Sequence, residues 1–141
     1  MILRLSPDHL RLIAAEAEAA WPHECCGLLV GRHDGAGEAV VTRVEPAANL
    51  MAHTRDRFEL DPAVHIRLLR ELRGTELSII GHYHSHPDAP AEPSAEDLAR
   101  ANDPDLIWLI VPVAQGRAGT PKAHRLDPSG SRFLPVSLMG K

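Results

Sequence analysis

The sequence predicts an α/β (α+β) fold: a mixed β-sheet with helices packed on its faces. Three observations predict it. Apolar residues recur at helical spacing behind two proline-led starts, Ser6-Pro7 and Asp61-Pro62. Short apolar runs bounded by turn residues, at 27–31, 77–83 and 106–111, read as buried strands. Helical and extended segments interleave along the chain, the order expected of a sheet covered by helices.

Taken in order, residues 2–5 read as a short strand. Ser6 then caps a helix with Pro7 at its first position, and Leu10, Ile13, Ala14, Ala17 and Trp21 give it one apolar face before Pro22 ends it. Residues 27–31, with Leu28, Leu29 and Val30, form a buried strand. A Gly/Asp turn at 32–38 returns the chain through 39–44, making a hairpin. Residues 46–55 read as irregular and 57–60 as a short strand. A second helix starts at Asp61-Pro62, carries Val64, His65, Leu68, Leu69 and Leu72, and stops at Gly74. The central strand at 77–83 delivers His84 and His86 at its carboxyl end. A Pro-rich loop at 87–93 leads to a short helix opened by Ser94. Residues 106–111 are the most apolar run, and late strands at 123–126 and 133–138 flank the Pro128-Ser129-Gly130 turn.

Composition bounds the function. A chain of 141 residues is expected to form one domain, 1–141, with its own core. The formal charge of -4 and the lack of a basic stripe argue against a nucleic-acid partner. Cys25 and Cys26 are the only cysteines, and adjacent cysteines rarely bridge, so a reducing compartment is expected. Residues 1–10 lack the apolar run of a signal peptide, and no stretch approaches the roughly 18 apolar residues of a membrane span. A soluble cytoplasmic protein without a membrane partner is expected; the sequence leaves a homodimer open.

The chemistry concentrates between His84 and Asp97: His84-Ser85-His86-Pro87, six residues, then Ser94-Ala95-Glu96-Asp97. Residues i and i+2 of a strand share a face, so both imidazoles can turn toward one ion. Asp97 completes two imidazoles and a carboxylate. Three protein ligands leave a fourth position for water, the layout of a catalytic zinc. Ser94 to Asp97 also reads as a capping box, and the two readings are compatible, because a first helical turn holds a carboxylate rigidly. A zinc hydrolase still needs an acid. Glu24, ahead of the 27–31 strand, is one candidate among Glu38, Glu45, Glu59 and Glu76. His82 sits about 6–7 Å behind His84 along the strand, too far to share a tetrahedral ion, and reads as a neighbour of the site or a satisfied core histidine. Cys26 reads as a small buried side chain. The helical His-Glu-x-x-His motif of common zinc proteases is absent.

His84-x-His86-Pro87-x6-Ser94-x2-Asp97 resembles the signature of the JAMM (MPN-plus) metalloproteases, over nearly the whole chain. Glu24-Cys25-Cys26-Gly27 is similar to the family's Glu-x-Cys-Gly strand start, and Asn49 and Phe58-Glu59-Leu60-Asp61-Pro62 resemble the prokaryotic branch. The resemblance implies a cytidine-deaminase-like α/β sandwich. It implies one Zn²⁺ per chain on His84, His86 and Asp97, with Glu24 as general acid–base and Ser94 stabilising the oxyanion. It further implies cleavage after the C-terminal Gly-Gly of a ubiquitin-like, sulfur-carrier substrate protein. A non-catalytic scaffold, which usually lacks the ligands this chain retains, and a peptidase of cell-wall or phage-type peptides are the alternatives.

Overall fold

The computed structural model describes residues 1–35, 37–51 and 58–140. The elements run β1 (Ile2–Leu5), α1 (Pro7–Ala20), β2 (Cys26–His33), β3 (Glu38–Ala47), α2 (Pro62–Glu71), β4 (Ser78–Pro87), α3 (Ala95–Arg100), β5 (Ile107–Ala114), β6 (Arg117–Ala118), β7 (Lys122–Leu126) and β8 (Phe133–Gly140). The strands form a mixed sheet in the order β4-β2-β3-β1-β8-β7-β5-β6. A parallel pairing of β4 with β5 joins the sheet back on itself, so seven strands make a ring and β6 extends β5.

Each helix forms where its cap and apolar stripe agree. Ser6 accepts the His9 N–H at 3.1 Å, Pro7 opens α1, and Ile13 and Ala17 are buried with Leu3, Leu5, Leu29, Val41, Tyr83 and Leu109. Asp61 accepts the Ala63 N–H at 3.0 Å and starts α2, whose Leu68 is buried with Leu28 and Val30. Successive β2 residues therefore serve opposite faces: Leu29 meets the α1 side, and Leu28 and Val30 meet the α2 side. Burying a Leu or Val side chain fully stabilises a fold by about 1.5–3 kcal/mol. The two clusters hold the sheet between its helices.

Several strands outrun their sequence signal. β3 continues to Ala47, three residues past the expected end, because Cys26 to Val30 of β2 pair along it. β4 continues to Pro87, so His84 and His86 lie within the strand rather than after it. Cys26 pairs with His84 on one side, and Ile110 and Pro112 pair with His84 and His86 on the other. Neighbouring ladders override local composition here. β6 has no apolar pattern and was not expected. Of the strand expected at 57–60, Arg57 lies outside the described residues and Leu60 makes an isolated bridge to Asn49. Residues 52–55 of the irregular stretch also lie outside the described residues. Among the described residues no helix is long and apolar enough to cross a membrane.

Candidate functional site

The site lies where the carboxyl half of β4 meets the start of β2 and the first turn of α3. Alternation along β4 puts His82, His84 and His86 on one face and Tyr83 and Ser85 on the other. His84, His86, Glu24 and Asp97 are all buried. Such a concentration of buried polar groups in so small a protein is costly unless they pair or hold an ion.

Three of these groups converge closely. His84 Nε2 lies 3.1 Å from His86 Nε2. The Asp97 carboxylate reaches both rings, with Oδ1 3.4 Å from His84 Nε2 and Oδ2 3.1 Å from His86 Nε2. Glu24 joins from the β2 side: its carboxylate and the two imidazoles offer ligand atoms within 4.8 Å of one another. The structure thus brings together every predicted ligand and the predicted acid. Ser94 caps α3 next to them. Its Oγ accepts the Asp97 N–H at 3.0 Å, and its own N–H donates to Asp97 Oδ2 at 2.9 Å. The capping box and the carboxylate placement are one arrangement.

The donor set fits a cation. His86 Nδ1 lies 2.8 Å from the Pro90 carbonyl oxygen. A carbonyl only accepts, so Nδ1 carries the proton and, in the neutral ring, Nε2 presents a lone pair. That lone pair faces a carboxylate oxygen at 3.1 Å, a repulsive contact unless a proton or a cation sits between them. A tetrahedral zinc with ligands at about 2.0–2.1 Å sets ligand–ligand edges of roughly 3.3 Å. The two ring nitrogens stand 3.1 Å apart, close to such an edge, and each has its own Asp97 oxygen nearby, Oδ1 at 3.4 Å from His84 and Oδ2 at 3.1 Å from His86.

The electrostatics agree. Burial alone would raise the Asp97 pKa, but its bonds with the two imidazoles outweigh burial and hold it far below the usual carboxylate range. Burial lowers the His84 pKa against the raising effect of Asp97. At His86 burial is overcome by Asp97 and the Pro90 carbonyl, and its pKa rises. A ring that attracts a proton this way also attracts a metal ion.

His82 is not the satisfied core histidine that was one expectation for it: its Nδ1 has no hydrogen-bond partner among the described residues. It packs edge-on against Trp108, ring centroids 4.3 Å apart, and burial pushes its pKa down to about 3. It is a neutral wall behind His84. Cys25 and Cys26 are buried with thiols pushed up to about 12, chiefly by burial. Both are protonated and inert at neutral pH.

Supporting residues went unrecognised in the sequence. Ser85, fully buried, accepts the Cys25 N–H through Oγ at 2.8 Å, while its own N–H donates to the Cys25 carbonyl at 3.1 Å. These bonds tie the segment bearing Glu24 to the histidine strand. A lone Ser on the apolar face of β4 was the available signal. His124 of β7 lies with Nε2 2.9 Å from the Ala91 carbonyl, so adjacent carbonyls of the 87–93 loop are held by two histidines. Phe58 stacks on His84 at 4.3 Å and 19°, and the Arg100 guanidinium of α3 lies over the Phe58 ring, 5.5 Å from its centroid. No local pattern announces those long-range partners.

Residues 6–126 match the family of prokaryotic homologs of the JAB domain. The chain belongs to that family. The prokaryotic JAB domain is thus the frame for this site. Desampylase of Haloferax volcanii is 37% identical over 83% of this chain and 79% of its own length. The probable TtuB-protein conjugate cleaving protease of Thermus thermophilus is 35% identical over 83% of this chain and 70% of that protein. The solution structure of protein DSY2949 from Desulfitobacterium hafniense superposes with a TM-score of 0.82 at 34% identity, covering 100% of this chain and 93% of that one. The mixed sheet with its helices is accordingly the fold of this JAB domain and its relatives.

Proposed function

We propose that this JAB domain is a zinc-dependent peptidase or isopeptidase that cleaves after the C-terminal Gly-Gly of a ubiquitin-like, sulfur-carrier type protein. The observation that carries the reading is the convergence of two buried imidazoles and the Asp97 carboxylate, each within 3.1–3.4 Å of the next, with a second buried carboxylate beside them. The relatives' names, a desampylase and a protein-conjugate cleaving protease, support the substrate class.

His84, His86 and Asp97 would hold one Zn²⁺ per chain. When bound, the ion polarises the scissile carbonyl and lowers the pKa of water from 15.7 toward 7. Glu24 takes a proton from the attacking water and returns it to the leaving amine. Burial excludes bulk water from that exchange and strengthens each charge interaction. Ser94 Oγ accepts from the Asp97 N–H and still has its own O–H to donate. That proton serves the developing oxyanion, and one such donor is typically worth about 3–4 kcal/mol. Asp97 fixes both rings, and the Pro90 carbonyl fixes the His86 tautomer. A flexible Gly-Gly tail can reach so enclosed a centre where a folded segment cannot. The protonated vicinal thiols suit a reducing cytoplasm, where we place the activity.

The test is a ubiquitin-like protein joined through its C-terminal Gly-Gly to a short peptide or to a lysine ε-amine. Incubation with zinc-loaded protein is expected to release a product whose mass ends at the second Gly, and chelation is expected to stop it. A zinc-loaded protein that leaves both linkages intact would contradict the reading and return the scaffold and other-peptide alternatives.

A further inference from the structure

We infer that Asn49 is a positioning residue for Glu24; the inference rests on Glu24 being the acid–base group. Cys26 pairs with Ala47 in the antiparallel β2–β3 ladder. Continuing that register two residues past the ladder sets Glu24 opposite Asn49. Backbone pairing has ended there, and a side chain takes over. Asn49 Nδ2 donates to the Glu24 carbonyl at 2.9 Å.

The amide orientation is fixed by its other partners. Asn49 Oδ1 accepts the Met51 N–H at 2.9 Å and the Glu59 N–H at 2.9 Å. Backbone N–H groups only donate, so the amide oxygen must face them and the nitrogen must face Glu24. The same side chain therefore does two separable things. Its oxygen closes the base of the 50–59 connection, aided by the Leu50 N–H donating to the Glu59 carbonyl at 2.8 Å and the Asp61 N–H donating to the Ala48 carbonyl at 3.0 Å. Its nitrogen holds the Glu24 backbone.

From the other side, Ser85 Oγ accepts the Cys25 N–H at 2.8 Å. Two side chains, Asn49 just past β3 and Ser85 on β4, thus hold one peptide group from its two edges, one through the Glu24 carbonyl and one through the Cys25 N–H. The peptide plane between Glu24 and Cys25 carries both groups, so its rotation is restricted from both ends. The Glu24 carboxylate is thereby aimed from a backbone that β2 alone does not hold. A catalytic base misplaced by about 1 Å costs roughly a hundredfold in rate, so the donor on Asn49 acts on turnover rather than on binding.

Asn49→Asp separates the two jobs. Aspartate still accepts from Met51 and Glu59 but has no N–H for the Glu24 carbonyl. The assay follows hydrolysis of the Gly-Gly-linked fusion, zinc content, and exchange of the Met51 and Glu59 amides, with Asn49→Ala and Glu24→Ala in parallel. The expected result for Asn49→Asp is full zinc occupancy, protected Met51 and Glu59 amides, KM within about threefold of wild type, and kcat lower by roughly ten- to a hundredfold. Asn49→Ala is expected to lose the same kcat and also the amide protection. If Glu24→Ala is inactive while Asn49→Asp turns over at the wild-type kcat, the positioning role is wrong and Asn49 only closes the connection. A kcat loss in Asn49→Asp accompanied by lost zinc or lost amide protection overturns it too. An active Glu24→Ala would remove the acid–base assignment itself and the inference with it.

Discussion

At the residue scale, Ser85 shows how a small group supports the site. Its Oγ satisfies the buried Cys25 N–H, and Ser85→Ala leaves that donor unpaired. The expected cost is about 1–3 kcal/mol of unfolding free energy, read from urea midpoints at unchanged slope. Glu16 makes a second residue-scale case. Tyr83 Oη donates to Glu16 Oε2 at 2.6 Å, and burial raises the Glu16 pKa against the lowering effect of that bond. The unfolded chain therefore deprotonates Glu16 first as pH rises. Stability is full below the unfolded carboxylate value and falls as pH climbs to the folded one. Glu16→Gln keeps an acceptor for Tyr83 and removes the titration. Its midpoint is expected to match wild type in acid and exceed it at neutral pH, which thermal melts across pH 3.5–7 (about that range spans the carboxylate titration) can check.

The residues that would hold the ion were legible because their chemistry is encoded in spacing. His84 and His86 share a face by strand alternation, and Asp97 sits in a capped first turn. Glu24 was one acid among several until the Glu-Cys-Cys-Gly resemblance singled it out. The bonds of Ser85 to Cys25, of His124 to Ala91 and of Asn49 to Glu24 were not legible. Their partners lie 60, 33 and 25 positions away, and only the tertiary fold brings them together.

At the element scale, β4 is the strand on which the site depends. It pairs with β2 and β5 at once, and Gly81 lies at the β4–β5 seam opposite Ile107. A Cβ on Gly81 would fall 2.4 Å from the Ile107 carbonyl oxygen, a backbone atom that cannot rotate away. Gly27 faces the same strand, with the Tyr83 ring occupying the space a Cβ would need, 2.3 Å away. Gly81→Ala is expected to cost about 1–3 kcal/mol or more by overpacking and to loosen zinc binding with it, since the seam fixes His84 against Ile110. Calorimetric midpoints of apo and zinc-loaded variants measure both effects. Helix positions were readable from Ser6-Pro7 and Asp61-Pro62 because caps act locally. The true ends of β3 and β4 were not, since their last residues are strand only by virtue of the neighbours they pair with.

At the scale of the whole molecule, the meeting of β4 with β5 closes the strands into a ring. No composition signal foretold that closure, which needs the register of strands far apart in sequence. It matters to function because it fixes where the β4 end, the β2 start and α3 converge. The mixed sheet with helices on both faces was readable from the alternation of elements, and α1 and α2 cover opposite sides as their apolar stripes require.

The division of labour between the two site carboxylates is the centre of the functional account. Zinc content per chain, measured by elemental analysis on wild type, Glu24→Ala and Asp97→Ala purified side by side, tests it most directly. The account predicts one zinc in wild type and in Glu24→Ala, and loss of the metal in Asp97→Ala. Zinc retained by Asp97→Ala but lost from Glu24→Ala would contradict it, making Glu24 the carboxylate that grips the ion and Asp97 a helix cap alone.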